Sequence, residues 1–220
     1  MYRVELGVEY HTQDDVRSCG ADVAMMILHH LGERSIQQDV LYREMNAVSP
    51  KGWSVAPEAL AYGLNRFAPA AHAGTFRAAF CSDERAFAEM LVGALSVRDA
   101  APVAVLRDCS HWLLVSAYES DVDPRTDAGY AILGFFVNTP TLAIRRTPPP
   151  PPHWENDGCE AHANGGSNQF VRYERWKAIL GGCPDFGAAP FAAICRGVAE
   201  PQREGPALKL ERTVIRGVAS

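Results

Sequence analysis

Residues 13–28, QDDVRSCGADVAMMIL, set a lone thiol, Cys19, at the mouth of a strongly apolar segment. Ala21, Val23, Ala24, Met25, Met26, Ile27, Leu28 and Leu31 follow so densely that the helix they predict is apolar nearly all round. Such a helix must be buried on most faces. Gly32 ends it, and His29 and His30 in its last turn read as core or surface residues rather than ligands. Upstream, Val4, Leu6, Val8 and Tyr10 alternate weakly, the pattern of a short edge strand or an ordered arm leading into Gln13.

Downstream, Ser35 followed by Gln38 has the form of a capping box and predicts a helix over 36–45, with Val40 and Leu41 inward. Pro57 suits a first helical turn, and Leu60, Leu64 and Phe67 share a face of the helix it opens. A strand is expected over 75–80. A fourth helix should begin near Asp83, where Phe87, Met90, Leu91, Ala94 and Leu95 recur at helical spacing.

Three apolar runs come next, at 102–106, 112–118 and 130–137, separated by RDCSH and ESDVDPRTDAG. Their Val, Tyr and Phe content predicts strands, and the short connections predict antiparallel pairing. Residues 145–169 combine a proline run with a Gly/Asn-rich stretch and read as a surface insertion or a lid. Spacing predicts a helix over 170–180, stopped by Gly181 and Gly182, and strands over 191–198 and 207–215. The expectation is one α+β domain over 1–220, with a helical part at about 13–97 and a sheet part at about 98–220.

Composition narrows the function classes. The chain has 220 residues and 47% hydrophobic content, enough for a sizeable core. A net charge of −5 without any long Lys/Arg run gives no footprint for nucleic acid or an anionic membrane. No apolar stretch approaches the roughly 20 residues that span a bilayer. The start, MYRVELGVEYHT, lacks the basic and apolar blocks of a signal peptide. Six irregularly spaced cysteines (Cys19, Cys81, Cys109, Cys159, Cys183, Cys195) read as free thiols of a reducing compartment, so a cytoplasmic location is expected, with a disulfide or two, which would require export, left open.

A Cys nucleophile acts as its thiolate, which a helix N-terminus and a nearby imidazolium both stabilise. Cys19 has the first of these in the sequence itself. His111, heading one strand-like run, has the right chemistry for the base, and Asn138, closing another, for the group that holds the imidazole in its useful tautomer. Gln13, six positions before Cys19, can offer its amide to a developing oxyanion beside the Cys19 N–H.

These residues resemble a known pattern. QDDVRSCG, the His of HWLLVSAYE and the Asn of FFVNTP are similar, in this order, to the papain-like cysteine peptidase superfamily, closest to its bacterial C39-like branch of bacteriocin-leader peptidases. The likeness runs to about Asn138 and, more loosely, to YERWKAIL, about two thirds of the chain. It implies a papain-like fold with the nucleophile helix packed on an antiparallel sheet. It also implies a thiol hydrolase that cleaves a peptide or amide bond through an acyl-enzyme on Cys19, with His111, Asn138 and Gln13 in the roles given above. The substrate would be a peptide or protein, with no cofactor and no metal. Two features depart from the pattern: Asp14 and Asp15 put negative charge near the thiol, which raises a thiol pKa, and segment 145–169 has no counterpart.

Each residue also has a plainer reading. A Cys on an apolar helix is most often a packing residue, a His beside a strand is often structural, Asn138 before Thr139-Pro140 is also a plain turn, and Gln13 also suits the approach to a helix. Cys109, two residues before His111, is a rival nucleophile without a helix dipole. His153, Cys159, His162 and Cys183 are zinc-type residues, but their spacing matches no zinc signature, so they read as a solvated loop. A transferase on the same fold and a catalytically silent peptide- or protein-binding module stay open beside the hydrolase, as does the oligomeric state.

Overall fold

The computed structural model describes residues 1–14, 17–97, 99–140 and 167–196. Among the described residues seven strands form one antiparallel sheet: β1 (Tyr2–Glu5), β2 (Phe76–Cys81), β3 (Val103–Arg107), β4 (His111–Ser120), β5 (Ile132–Asn138), β6 (Gln169–Arg172) and β7 (Phe191–Arg196). The order across the sheet is β2-β7-β3-β4-β5-β6, and β1 pairs with the outer half of β4 through Tyr2↔Ser120 to Glu5↔Ala117. Five helices, α1 (Cys19–His30), α2 (Gln38–Val48), α3 (Pro57–Phe67), α4 (Glu84–Ser96) and α5 (Tyr173–Leu180), complete an α+β fold.

The sheet has a core on each face. α1, α2 and α3 cover one face, where Ala21, Ile27, Leu41 and Leu60 meet Ala104, Leu106, Trp112 and Leu114. α4 and α5 cover the other, where Phe87, Leu91 and Trp176 meet Val103, Val105, Leu113, Val115 and Phe135. Alternation along a strand sends successive side chains to opposite faces, which is why neighbours in β3 and β4 belong to different cores. The buried apolar side chains of α1 (Ala21, Val23, Ala24, Met26, Ile27, Leu28) match the expectation of a helix buried almost all round.

Several details differ from the sequence expectations. The helical and sheet parts interleave: β1 and β2 join the sheet from the N-terminal side, and α4 crosses to the far face. α2 begins at Gln38 rather than 36, and no capping box forms, because Ser35 bonds Glu33 while Gln38 turns inward. Phe170 lies in β6, paired with Phe136, so only Tyr173–Leu180 of the expected 170–180 helix is helical. The 207–215 strand and the expected insertion as far as residue 166 lie outside the described residues.

The largest correction concerns the thiols. Cys109 and Cys183 form a disulfide across a sequence separation of 74, with Cα atoms 4.8 Å apart. The fold alone brings them together, so spacing could not reveal the pair. The bridge removes the free-thiol argument for a reducing compartment, since disulfides persist where the surroundings are oxidising. No described helix is long and apolar enough to cross a membrane.

The bridge fastens a tight place. The β3–β4 turn closes through Ser110 N–H to the Arg107 carbonyl (2.9 Å), and its central residues Asp108 and Cys109 have φ of 37° and 62°. Both have left-handed geometry, in which a Cys is strained, within a three-residue loop, 108–110, that joins the paired Arg107 and His111. Gly181 (φ 54°) ends α5 against this turn, and a Cβ there would stand 2.9 Å from the Asp108 Cβ. Reduction of the bridge, or Cys183→Ser, should therefore lower unfolding stability by about 2–4 kcal/mol, the usual range for a bridge closing a long loop. Urea unfolding with and without reductant measures this, and an unchanged midpoint would show that the bridge contributes nothing.

Candidate active site

Cys19 is the first residue of α1, and its neighbourhood is built around Gln38. The buried Gln38 amide donates to the Thr12 carbonyl (3.3 Å) and to Asp22 Oδ1 (3.1 Å). Its Oε1 accepts from the Asp14 N–H (2.7 Å) and the Ser18 hydroxyl (3.0 Å). One side chain thus ties both ends of the loop before Cys19 to the first turn of α1. Ser18 occupies the N-cap position without a side-chain cap bond, leaving the first N–H groups of α1 to other acceptors.

The sulfur is one such acceptor. Cys19 is buried, and burial pushes its thiol pKa up. The backbone N–H groups of Trp112 and Gly20 pull it down, while the Asp22 carboxylate raises it further. Desolvation is the largest of these effects, so the resting group is a thiol rather than a helix-stabilised thiolate. Trp112 is fixed by its indole N–H, which donates to the Val55 carbonyl at 3.0 Å. Gly20 makes the approach possible, because a Cβ there would stand 2.9 Å from the Val55 Cβ and 3.0 Å from Trp112 Cδ1.

A pocket of about 200 Å³ opens over Cys19, lined among others by Arg17, Trp53, Val55, Cys109 and Trp112. Trp53 stacks on Phe186 with ring centroids 5.6 Å apart, giving the site an aromatic wall beside the disulfide. His111 and Asn138 are not among the lining residues.

The four residues singled out in the sequence are placed as follows. Gln13 is buried immediately before Asp14, whose N–H is held by Gln38, and its Oε1 has no hydrogen-bond partner. His111 is the first residue of β4, half-buried, paired with Arg107 and directly preceding Trp112. Strand alternation puts it on the side of Leu113 and Val115, opposite Trp112. Asn138 is buried at the end of β5, opposite Leu114. Its Nδ2 donates to Ser116 Oγ (3.3 Å) and its Oδ1 accepts from the Asn168 N–H (2.7 Å), so both ends of its amide are engaged away from His111. Cys109 is in the disulfide and, so long as the bridge stands, has no thiol with which to act as a nucleophile.

Sequence reasoning looked to Asp14 and Asp15 for the charge near the thiol. Asp15 lies outside the described residues, and Asp14 is exposed. The carboxylate that acts on Cys19 is Asp22, fully buried one turn into α1. Burial, and then the charge of Asp14, push the Asp22 pKa up to about 7, while the Gln38 hydrogen bond opposes the shift. Asp22 Oδ2 has no hydrogen-bond partner, so nothing on that oxygen offsets the cost of burying the charge. A single acid in an apolar helix looks like its exposed position, and only the burial of the whole first turn shows otherwise.

No family model matches the sequence, and no curated protein matches it. Among solved structures the chain is similar to a double-glycine-motif protease from an AMS/PCAT transporter, solved in complex with the leader peptide. The TM-score is 0.48 at 9% identity, over 88% of this chain and 94% of that one.

Asp22 predicts a pH dependence of known sign. Its folded pKa of about 7 lies above the ordinary 3.8, so between these values the folded state holds the extra proton and stability falls as pH rises. From about pH 4 to about pH 8 the wild type should lose on the order of 3 kcal/mol relative to Asp22→Asn. Urea titrations of both proteins at the two pH values give the difference. Parallel slopes would place the Asp22 pKa near its ordinary value.

Proposed function

We propose that the chain is a papain-like thiol hydrolase that cleaves a peptide or amide bond through an acyl-enzyme on Cys19. The observation that carries this reading is the setting of Cys19: first residue of a buried helix, beneath a pocket, where the backbone of Trp112 and Gly20 favours a negative sulfur. His111 immediately precedes Trp112 on β4. The resemblance of the Gln13, Cys19, His111 and Asn138 motifs to the C39-like branch supports the same reading and makes a peptide the natural substrate class.

In the proposed reaction His111 takes the Cys19 proton as the sulfur attacks the carbonyl carbon, which requires its ring, at the open end of β4, to swing round from the side where strand alternation puts it. A resting thiol, rather than a standing thiolate, makes this proton transfer part of the attack. The negative oxygen of the tetrahedral intermediate is met by the Cys19 N–H and the Gln13 side-chain amide. Collapse breaks the C–N bond, His111 gives its proton to the leaving amine, and water then attacks the thioester to release the acid and restore the thiol. A transferase differs only in the last step, where an amine replaces water. Asn138 enters as a positioning residue, acting through Ser116 of β4 rather than by contact with the imidazole.

A second reading, a catalytically silent papain-like module that binds peptides, is favoured by the burial that raises the Cys19 pKa and by the absence of His111 from the pocket lining. Electrophile labelling separates the two. Iodoacetamide at neutral pH should modify Cys19 ahead of Cys81 and Cys195, of which the second is fully buried with its pKa pushed up to about 12. His111→Ala should slow the labelling of Cys19 by roughly 10²-fold, as expected for loss of a general base. Labelling of Cys19 no faster than Cys81, or an unchanged rate in His111→Ala, would rule out the hydrolase and leave the binding module.

A further inference from the structure

Outside this site, three donor groups meet where the N-terminal arm crosses the end of α1. His11 Nε2 lies 2.8 Å from His29 Nδ1, and Glu9 Oε1 lies 3.9 Å from His11 Nε2. All three donor atoms fall within 4.8 Å of one another. We propose that Glu9, His11 and His29 form a binding site for a divalent transition-metal ion, Zn²⁺ above all, that clamps the arm to α1. This departs from the sequence expectation that His29 is a core or surface residue.

The donor set selects the class of ion. Two imidazoles and one carboxylate suit Zn²⁺ and its first-row neighbours, while Ca²⁺ and Mg²⁺ require mostly oxygen. Ligands bound to Zn²⁺ at about 2.0–2.1 Å in tetrahedral array stand roughly 3.3 Å apart. The observed 2.8 and 3.9 Å bracket that separation, and the carboxylate, within 4.8 Å of both nitrogens, has to close on His29 for the three to share one ion. The rings meet edge to face, with centroids 4.5 Å apart and planes at 83°, which keeps both nitrogens on the shared gap. One water completes a four-coordinate sphere.

The surroundings already hold the ligands. Arg34 Nη1 bonds Glu9 Oε2 at 2.6 Å, leaving Oε1 as the metal donor and fixing the carboxylate, the kind of outer contact that metal ligands regularly have. Glu33 adds negative charge near His29. The arm is fastened before and within the site, by the contact of His30 Nδ1 with the Gly7 carbonyl (2.8 Å) and by the Tyr10 hydroxyl donating to the Thr139 carbonyl (3.0 Å). An entering ion replaces the hydrogen bond between the two rings, each of which would present one bare nitrogen to it. The clamp would fix residues 9–11, immediately before Thr12 and Gln13. That consequence rests on the proposed thiol chemistry, whereas metal binding itself does not.

The test is Zn²⁺ titration of the full chain, stripped with EDTA, by calorimetry and thermal unfolding. One ion per chain with Kd of about 1 µM or tighter is expected, with a rise in Tm. His11→Gln and His29→Gln should each weaken binding at least tenfold, and Glu9→Gln by a similar or smaller factor. Cys19→Ser is measured in parallel because a thiol beside an imidazole also takes Zn²⁺, and it should bind as the wild type does. Undiminished affinity in both His variants, loss of binding in Cys19→Ser alone, or no binding at about 100 times that concentration would each overturn the proposal. Cys19 labelling in metal-free protein reports on the thiol site separately, so failure of one reading is distinguishable from failure of the other.

Discussion

The Gln38 side chain is the contact on which the site depends. An amide offers two donors and an acceptor that takes two bonds, and in this buried position all four possibilities are used, on Thr12, Asp14, Ser18 and Asp22. Without it, four polar partners around the Cys19 loop would each lose a bond, at roughly 1–3 kcal/mol for a buried group left unsatisfied. No residue of the loop supplies an equivalent anchor in the described contacts. The position of the helix mouth is therefore decided from outside it, by the first residue of α2, and the packing of α2 on α1 becomes a condition for the geometry of the thiol.

That anchoring brings two opposed electrostatic effects to one helix end. The N-terminus of α1 and the Trp112 and Gly20 N–H groups favour a negative sulfur. A helix end contributes at most about 2 kcal/mol in a partly buried place, while burial of the sulfur and of Asp22 works the other way. Gln38 partly relieves Asp22 by donating to one of its oxygens, but the other has no partner. A proton on Asp22 and a proton on Cys19 are thus mutually supporting, since each ionisation makes the other harder. In the proposed reaction the acceptor of the Cys19 proton is His111, the first residue of β4.

Much of the fold was legible because it follows period. The dense apolar spacing of α1, the stripe of α4 and the strand runs of β3, β4 and β5 each depend on local sequence, and packing confirmed them. Gln38 was misread because the same Ser-x-x-Gln spacing serves either a cap or, when the chain around Thr12 and Asp14 lies over it, a buried anchor. Phe170 fits a helical stripe and a strand equally well, and the open edge of β5 decided for the strand. The two-faced sheet did leave a signal: apart from His111 and Glu119, every residue of β4 is buried, which marks a strand covered on both sides. Asp22 and the disulfide left none, since both depend on contacts between segments distant in sequence.

The turn that starts β4 draws these parts together. A three-residue hairpin loop with Asp108 and Cys109 at positive φ stores backbone strain of order 1–3 kcal/mol per residue, and such a turn persists only where its surroundings over-determine it. Here they do so twice, through the Cys109–Cys183 bridge and through the close approach of Gly181 to Asp108. The register of β3 on β4, Leu106↔Trp112 and Arg107↔His111, follows from that turn, and a slip of one residue would exchange Trp112 and His111 between the two faces of the sheet. The Trp112 N–H on the sulfur and the indole bond to Val55 exist in only one of those registers. The disulfide thus acts on the thiol site through register: it holds the strained turn that decides which side of β4 meets α1.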